Sequence, residues 1–170
     1  MHTKVVFQAA KALARIGCVV LRFNFRGVGS SAGTWDGGRG ELDDYRAALD
    51  FLEAQYPDLE MWAAGFSFGS YIAMTVGADD DRVCALVAVA PPVDRYEFAS
   101  VKRSTKPKFI VHGERDELIS FRQVRHFYAQ LSEPKELVEV ERANHLFDGQ
   151  ASEVGDALVE LLEDFSCRKR

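Results

Sequence analysis

Along this chain, short apolar runs of strand length alternate with longer stretches whose apolar residues recur at helical spacing, and few folds accommodate that order. Residues 4–16 place Val5, Val6, Ala9, Ala10, Leu13 and Ile16 on one helical stripe, with Gly17 where a left-handed C-cap would sit. Cys18-Val19-Val20-Leu21 then reads as a short buried strand, followed by an aperiodic, glycine-rich loop over residues 24–40. The spacing predicts a helix over 41–56, opened by Glu41, Asp43 and Asp44 and ended by Pro57. A second strand is expected over 59–66, a helix over 68–76, and a third strand, apolar throughout, over 83–90. Residues 93–104 read as irregular with one helical turn, and 108–112 as a fourth strand. Ser120 with Gln123 forms a capping box for a helix carrying Val124, Phe127, Tyr128 and Leu131. Residues 136–140 are the last strand, and Val154, Leu158, Leu161, Leu162 and Phe165 mark a final helix. Strands alternating with helices imply crossover connections, hence an open, mostly parallel sheet with helices on both faces: an α/β fold.

At 170 residues the chain is one domain by size, and 47% apolar with 28% charged residues excludes disordered, collagen-like and membrane-spanning classes. A net charge of −5 supplies no basic field for a phosphate backbone, so no nucleic-acid or membrane partner is expected. Cys18, Cys84 and Cys167 are odd in number and widely scattered, which argues against a disulfide framework. They read as inert packing residues in a reducing, cytoplasmic protein, consistent with Lys4, Lys11 and Arg15 interrupting any signal-like apolar run. No His, Cys and carboxylate grouping has metal-ligand spacing in the sequence, so neither a metal nor a cofactor is expected.

In open parallel sheets, ligands gather at the carboxyl ends of the strands. After the second predicted strand comes Gly65-Phe66-Ser67-Phe68-Gly69, a G-x-S-x-G pattern at a strand-to-helix junction. With 13 glycines in 170 residues, about 0.06 such matches would arise by chance. The glycines make room for a turn sharp enough to lift the Ser67 hydroxyl clear of the sheet, and the same turn points the Phe68 amide out of the first helical turn, where an oxyanion would gain from it.

A serine hydroxyl becomes a nucleophile only when a base takes its proton, and that base needs a carboxylate to fix its tautomer. His145 follows the fifth predicted strand, and Asp116 follows the fourth within His112-Gly113-Glu114-Arg115-Asp116-Glu117. Ser67, Asp116 and His145 are thus the candidate nucleophile, acid and base, in the chain order this strand-turn-helix architecture uses. Glu114 and Glu117 compete with Asp116 locally, and Asp94, after the third strand, is a more distant rival. His112 lies at a strand end and reads as a packing residue, His126 as a helix-surface one. Residues 27–32 match the dinucleotide fingerprint G-x-G-x-x-G/A in form, yet no helix can begin before Glu41 to receive a pyrophosphate.

Together the elbow at residues 65–69, the Asp116 and His145 loops and the segment Arg22-Phe23-Asn24-Phe25-Arg26-Gly27-Val28-Gly29-Ser30-Ser31 resemble the α/β-hydrolase superfamily. The likeness is to small, lidless bacterial hydrolases related to dienelactone hydrolases, and it covers essentially the whole chain. It implies that Ser67 is the nucleophile, His145 the base, Asp116 the orienting acid and the Phe68 backbone amide one oxyanion donor. Members of this family begin with further strands and a His-Pro and Gly-Gly loop ahead of a helix that starts much like Thr3-Lys4-Val5-Val6. The resemblance therefore implies a domain over 1–170 lacking the family's first strands, with Met1 internal to a longer frame, and the second oxyanion donor missing. Without a third strand between residues 18–23 and 59–66, either a gap or a direct pairing of those two segments is expected, and self-association into a homo-oligomer is one way to cover it.

The expected activity is hydrolysis of small esters by acyl transfer, with a small-molecule substrate and no cofactor. The alternatives are peptidase, acyltransferase or perhydrolase chemistry on the same residues, or a non-catalytic binding module. Phe66, Phe68, Tyr71, Tyr96, Phe98 and Phe147 are candidates to line an acyl pocket, and Arg95, Lys102, Arg103, Lys106 and Lys108 either favour an anionic substrate or form a solvated face.

Overall fold

The computed structural model describes residues 3–167. Four strands, β1 (Met61–Phe66), β2 (Val83–Val89), β3 (Lys108–Gly113) and β4 (Lys135–Val140), form one parallel sheet in the order β1-β2-β3-β4. Each crossover carries a helix: α3 (Phe68–Asp79) joins β1 to β2, the short α4 (Ala99–Arg103) lies between β2 and β3, and α5 (Phe121–Ala129) joins β3 to β4. Two helices, α1 (Lys4–Arg15) and α2 (Arg39–Gln55), precede the sheet, and α6 (Ala151–Leu162) follows it.

The central strands read as unbroken apolar runs because both of their faces are covered. Ala63, Leu86, Ala88 and Ile110 pack with Tyr45 and Leu49 of α2, Ile72 of α3, Val101 of α4 and Val124 of α5. The intervening residues Ala85, Val87, Val89, Phe109 and Val111 pack on the other face with Val5 and Leu13 of α1 and Val154, Leu158 and Leu162 of α6. This period-2 division leaves the carboxyl ends of the strands uncovered, and there the loops gather.

The apolar run at residues 18–21 forms no ladder among the described residues, contrary to the sequence expectation. Two clefts separate it from β1: one of about 270 Å³ bounded by Cys18, Val20, Tyr45 and Met61, and one of about 310 Å³ bounded by Val5, Leu21, Phe25 and Phe66. A gap, rather than a direct pairing, is therefore the outcome. Tyr45 bridges part of it, its buried hydroxyl donating to the Ala64 carbonyl (3.3 Å) and accepting from the Ala64 N–H (3.1 Å). One side chain thus satisfies, at one residue, the edge groups a neighbouring strand would otherwise satisfy.

Two further differences are local. Helix α2 begins at Arg39, two residues early, because the buried Glu41 carboxylate accepts the Asp36 N–H (2.9 Å) and the Gly38 N–H (2.8 Å) and fixes the turn before it. Cys84 and Cys167 are joined in a disulfide, which corrects the reading of these cysteines as unpaired packing residues; Cys18 alone stays free among the described residues. Their sequence separation of 83 hid the pairing: the segment after α6 folds back so that Phe165 packs on Trp62 and Phe109 and brings Cys167 to the start of β2. No helix among the described residues is long and apolar enough to cross a membrane.

Candidate active site

Ser67 occupies the single residue between β1 and α3, at φ 49° and ψ −123°. A side-chain-bearing residue at positive φ stores about 1–3 kcal/mol of strain and persists only where its surroundings impose it. Here the Ser67 N–H donates to the Val89 carbonyl of β2 (2.8 Å), while its own carbonyl accepts the Ser70 N–H (2.8 Å) and the Ser70 hydroxyl (2.6 Å). The turn is so tight that a Cβ at position 65 would stand 2.6 Å from the Ser70 nitrogen and closer still to the Gly69 carbonyl. Gly69 differs: the nearest atom a Cβ there would meet is Phe25 Cε2, at an ordinary 3.9 Å. Of the two elbow glycines, only Gly65 is demanded by space.

The structure brings the three sequence-predicted side chains into one line. His145 Nε2 lies 3.0 Å from Ser67 Oγ, and His145 Nδ1 lies 2.7 Å from Asp116 Oδ2. A carboxylate accepts only, so Nδ1 carries the proton and Nε2 presents its lone pair to the serine hydroxyl. Asp116 Oδ1 accepts the Leu118 N–H (2.9 Å) and the Ile119 N–H (2.8 Å). Burial by itself would raise the Asp116 pKa, but the His145 hydrogen bond and these two amides outweigh it and hold the carboxyl below the usual range. Asp116 and His145 are 7% and 5% exposed, whereas Ser67 is half-buried, so the serine end of the line is the more open to solvent. Phe68 is the first residue of α3, where backbone N–H groups have no intrahelical acceptor.

The rival carboxylates do other work. Glu114 accepts the Arg142 N–H (2.7 Å) and Glu117 the His145 N–H (3.1 Å), so both tie the loop after β3 to the loop after β4. Asp94 faces Arg95 at 4.0 Å. Sequence reasoning treated Glu114 and Glu117 as competitors for one role and missed this clamp, whose signal was their placement on either side of Asp116. Gly113 completes it by letting the two loops approach, since a Cβ there would lie 2.5 Å from the Ala143 carbonyl oxygen.

Two expectations about the surroundings are corrected. Phe98 and Phe147 are 2% and 0% exposed and belong to the core; they do not line a pocket. Phe66 instead packs on the His145 ring at 5.4 Å, and Phe68, Tyr71 and Tyr96 form a half-buried group beside Ser67, the Tyr71 and Tyr96 rings stacked at 4.3 Å. Lys106 and Lys108 do not face the site: Lys106 Nζ donates to the Gly77 and Asp80 carbonyls and Lys108 Nζ to those of Ser104, Lys106 and Ser132, at the amino end of β3. Among the described residues, one group has metal-ligand spacing, Glu60 with Cys84 and Cys167, and there the two sulfurs are bonded to each other.

Residues 1–101 match the family described as Serine aminopeptidase, S33. The chain is 34% identical over 171 residues to an uncharacterized protein of Rickettsia prowazekii (strain Madrid E), covering 95% of this chain and 72% of that one. Its fold is similar to that of an α/β serine hydrolase homologue from Coxiella burnetii, with a TM-score of 0.91, 44% identity, and coverage of 95% of this chain and 77% of the other. An α/β serine hydrolase without lid from Xanthomonas campestris superposes with a TM-score of 0.87 at 36% identity, covering 94% and 72% of the two chains.

Proposed function

Because the chain belongs to the Serine aminopeptidase, S33 family and has the α/β-hydrolase fold of serine hydrolases, we propose that this enzyme cleaves small carboxylic esters through Ser67, His145 and Asp116. The continuous line of contacts from Ser67 Oγ through the imidazole to Asp116 carries this reading. Ser67 Oγ attacks the substrate carbonyl as His145 Nε2 takes its proton. Asp116 keeps the Nδ1–H tautomer and stabilises the imidazolium that forms, while the Phe68 N–H faces the negative charge growing on the carbonyl oxygen. The imidazolium then protonates the departing alcohol, and a water activated by the same nitrogen releases the acid and regenerates Ser67.

The test is intact mass after treatment with a fluorophosphonate probe, alongside turnover of a panel of p-nitrophenyl esters and aminoacyl amides. One adduct on the wild-type chain, absent from Ser67→Ala, together with ester turnover lost in that variant, is the expected result. Faster turnover of the amides would move the enzyme to the peptidase reading. Ester turnover undiminished in Ser67→Ala would overturn the proposal.

A further inference from the structure

His112 has no part in the proton transfers above, yet it is fully buried beside them. It is the penultimate residue of β3, and its ring stacks on Phe121 of α5 at 6.1 Å. Its Nε2 lies 2.8 Å from the Ile119 carbonyl oxygen and 3.5 Å from Asp116 Oδ2. A carbonyl only accepts, so Nε2 carries the proton and Nδ1 holds the lone pair. That Nδ1 is buried and has no hydrogen-bond partner among the described residues, a surrounding that penalises a second proton. The ring is therefore a neutral donor, and burial pushes its pKa below the usual imidazole range despite the nearby carboxylate.

Ile119 receives two contacts of opposite sense. Its N–H donates to Asp116 Oδ1 (2.8 Å), and its carbonyl accepts from His112 (2.8 Å). From His112 the contacts thus run through Ile119 to Asp116, then to His145 and Ser67, with His112 anchoring the far end in β3. We infer that His112 is a positioning residue: by holding the Ile119 carbonyl, it sets the turn at residues 116–119 so that Asp116 presents Oδ2 to His145. The inference rests on the reading of Ser67, Asp116 and His145 given above. Its neutrality matters too, because a charged ring 3.5 Å from Asp116 Oδ2 would compete with His145 for the same carboxylate. The titratable and charged groups around it are Asp116 on the following loop, His145 from the loop after β4, the exposed Glu139 in register on β4, and Arg125 of α5, which lies over the far neighbour Phe121.

The experiment compares His112→Gln, His112→Asn and His112→Phe. A glutamine amide reaches the position of Nε2 and can donate to Ile119; an asparagine amide is one carbon too short; phenylalanine keeps the packing and removes the donor. The expected result is near wild-type turnover for Gln and a loss of about 10- to 100-fold in kcat with KM unchanged for Asn and Phe. The low-field proton resonance of His145 Nδ1–H, which needs no substrate, is retained in Gln and broadened or lost in Asn and Phe. Equal resonances and equal kcat in Gln and Asn would overturn the inference, whether or not the Phe variant folds. Ester turnover undiminished in Ser67→Ala would instead overturn the proposed role of Ser67, and the resonance would still decide the role of His112.

Discussion

The two elbow glycines offer a sharp test, because the structure assigns them unequal roles. A Cβ at Gly65 would sit 2.6 Å from the Ser70 nitrogen and closer to the Gly69 carbonyl, all of it backbone in the first turn of α3. Unstrained contact begins near about 3.5 Å, so β1 and α3 must part by about 1 Å to admit a methyl group. Overpacking of that kind costs about 1–3 kcal/mol. For a chain of this length that lowers Tm by about 2–12 °C. Because Ser67 lies between the two elements that separate, the same 1 Å displaces Ser67 Oγ from His145 Nε2 and, on the proposed mechanism, costs about 10²-fold in kcat. At Gly69 the nearest neighbour of an added Cβ is a ring atom at 3.9 Å and the residue is already helical, so Gly69→Ala gains up to about 1 kcal/mol with kcat unchanged. Thermal melts followed by circular dichroism and turnover of a p-nitrophenyl ester measure both effects. Equal losses in Gly65→Ala and Gly69→Ala, or none in Gly65→Ala, would refute the steric account of the elbow.

Asp116→Asn should lower kcat by about 10⁴-fold with little change in Tm, because it favours the wrong imidazole tautomer while keeping the shape; stopped-assay turnover checks this. Tyr45→Phe leaves the Ala64 N–H and carbonyl at the sheet edge without their partner and should cost about 1–3 kcal/mol, read from the urea midpoint. Cys84→Ser opens a covalent loop of 83 residues, worth about 4.5 kcal/mol in the chain-entropy picture, and should match the wild type measured under dithiothreitol. Acidification should destabilise the fold once pH falls below about 6.5, first through His112 and, below about pH 4, through three carboxylates. His112 resists the proton that the unfolded chain accepts below about pH 6.5, so its contribution is full above that pH and is lost as pH falls through its lower folded value. Asp44, Asp80 and Asp116 are all held below the usual carboxylate range and act with the same sign, their stability disappearing as pH falls through their folded values. A urea midpoint that rises on acidification would contradict the sign.

Where an element is defined by its own residues, the sequence reading survives contact with the structure. The Ser120–Gln123 box caps α5 as read, with the Gln123 N–H reaching Ser120 Oγ and the Gln123 side chain accepting from the Ser120 N–H. The central strands were legible because burial on both faces removes every polar residue from β2. Residues 18–21 carry the same composition and yet form no strand, because a strand requires a partner at hydrogen-bonding distance and the edge of β1 lies across a cleft from them. Apolar composition records burial, not pairing.

The same division runs through the site. Ser67 could be placed from five consecutive residues, since the elbow is a local steric problem with one solution. The acid could not, because Glu114, Asp116 and Glu117 stand within four positions and nothing local separates them. Three-dimensional competition for donors separates them: two of the carboxylates are taken by main-chain amides of the opposite loop, and the third, whose Oδ1 is fixed by Leu118 and Ile119, has Oδ2 left for the imidazole. If that assignment governs function, Glu117→Gln, which keeps an acceptor for the His145 N–H, should retain most of the activity, while Glu117→Ala loosens the His145 loop. A nearly complete loss of turnover in Glu117→Gln, with Asp116→Asn active, would transfer the acid's role to Glu117.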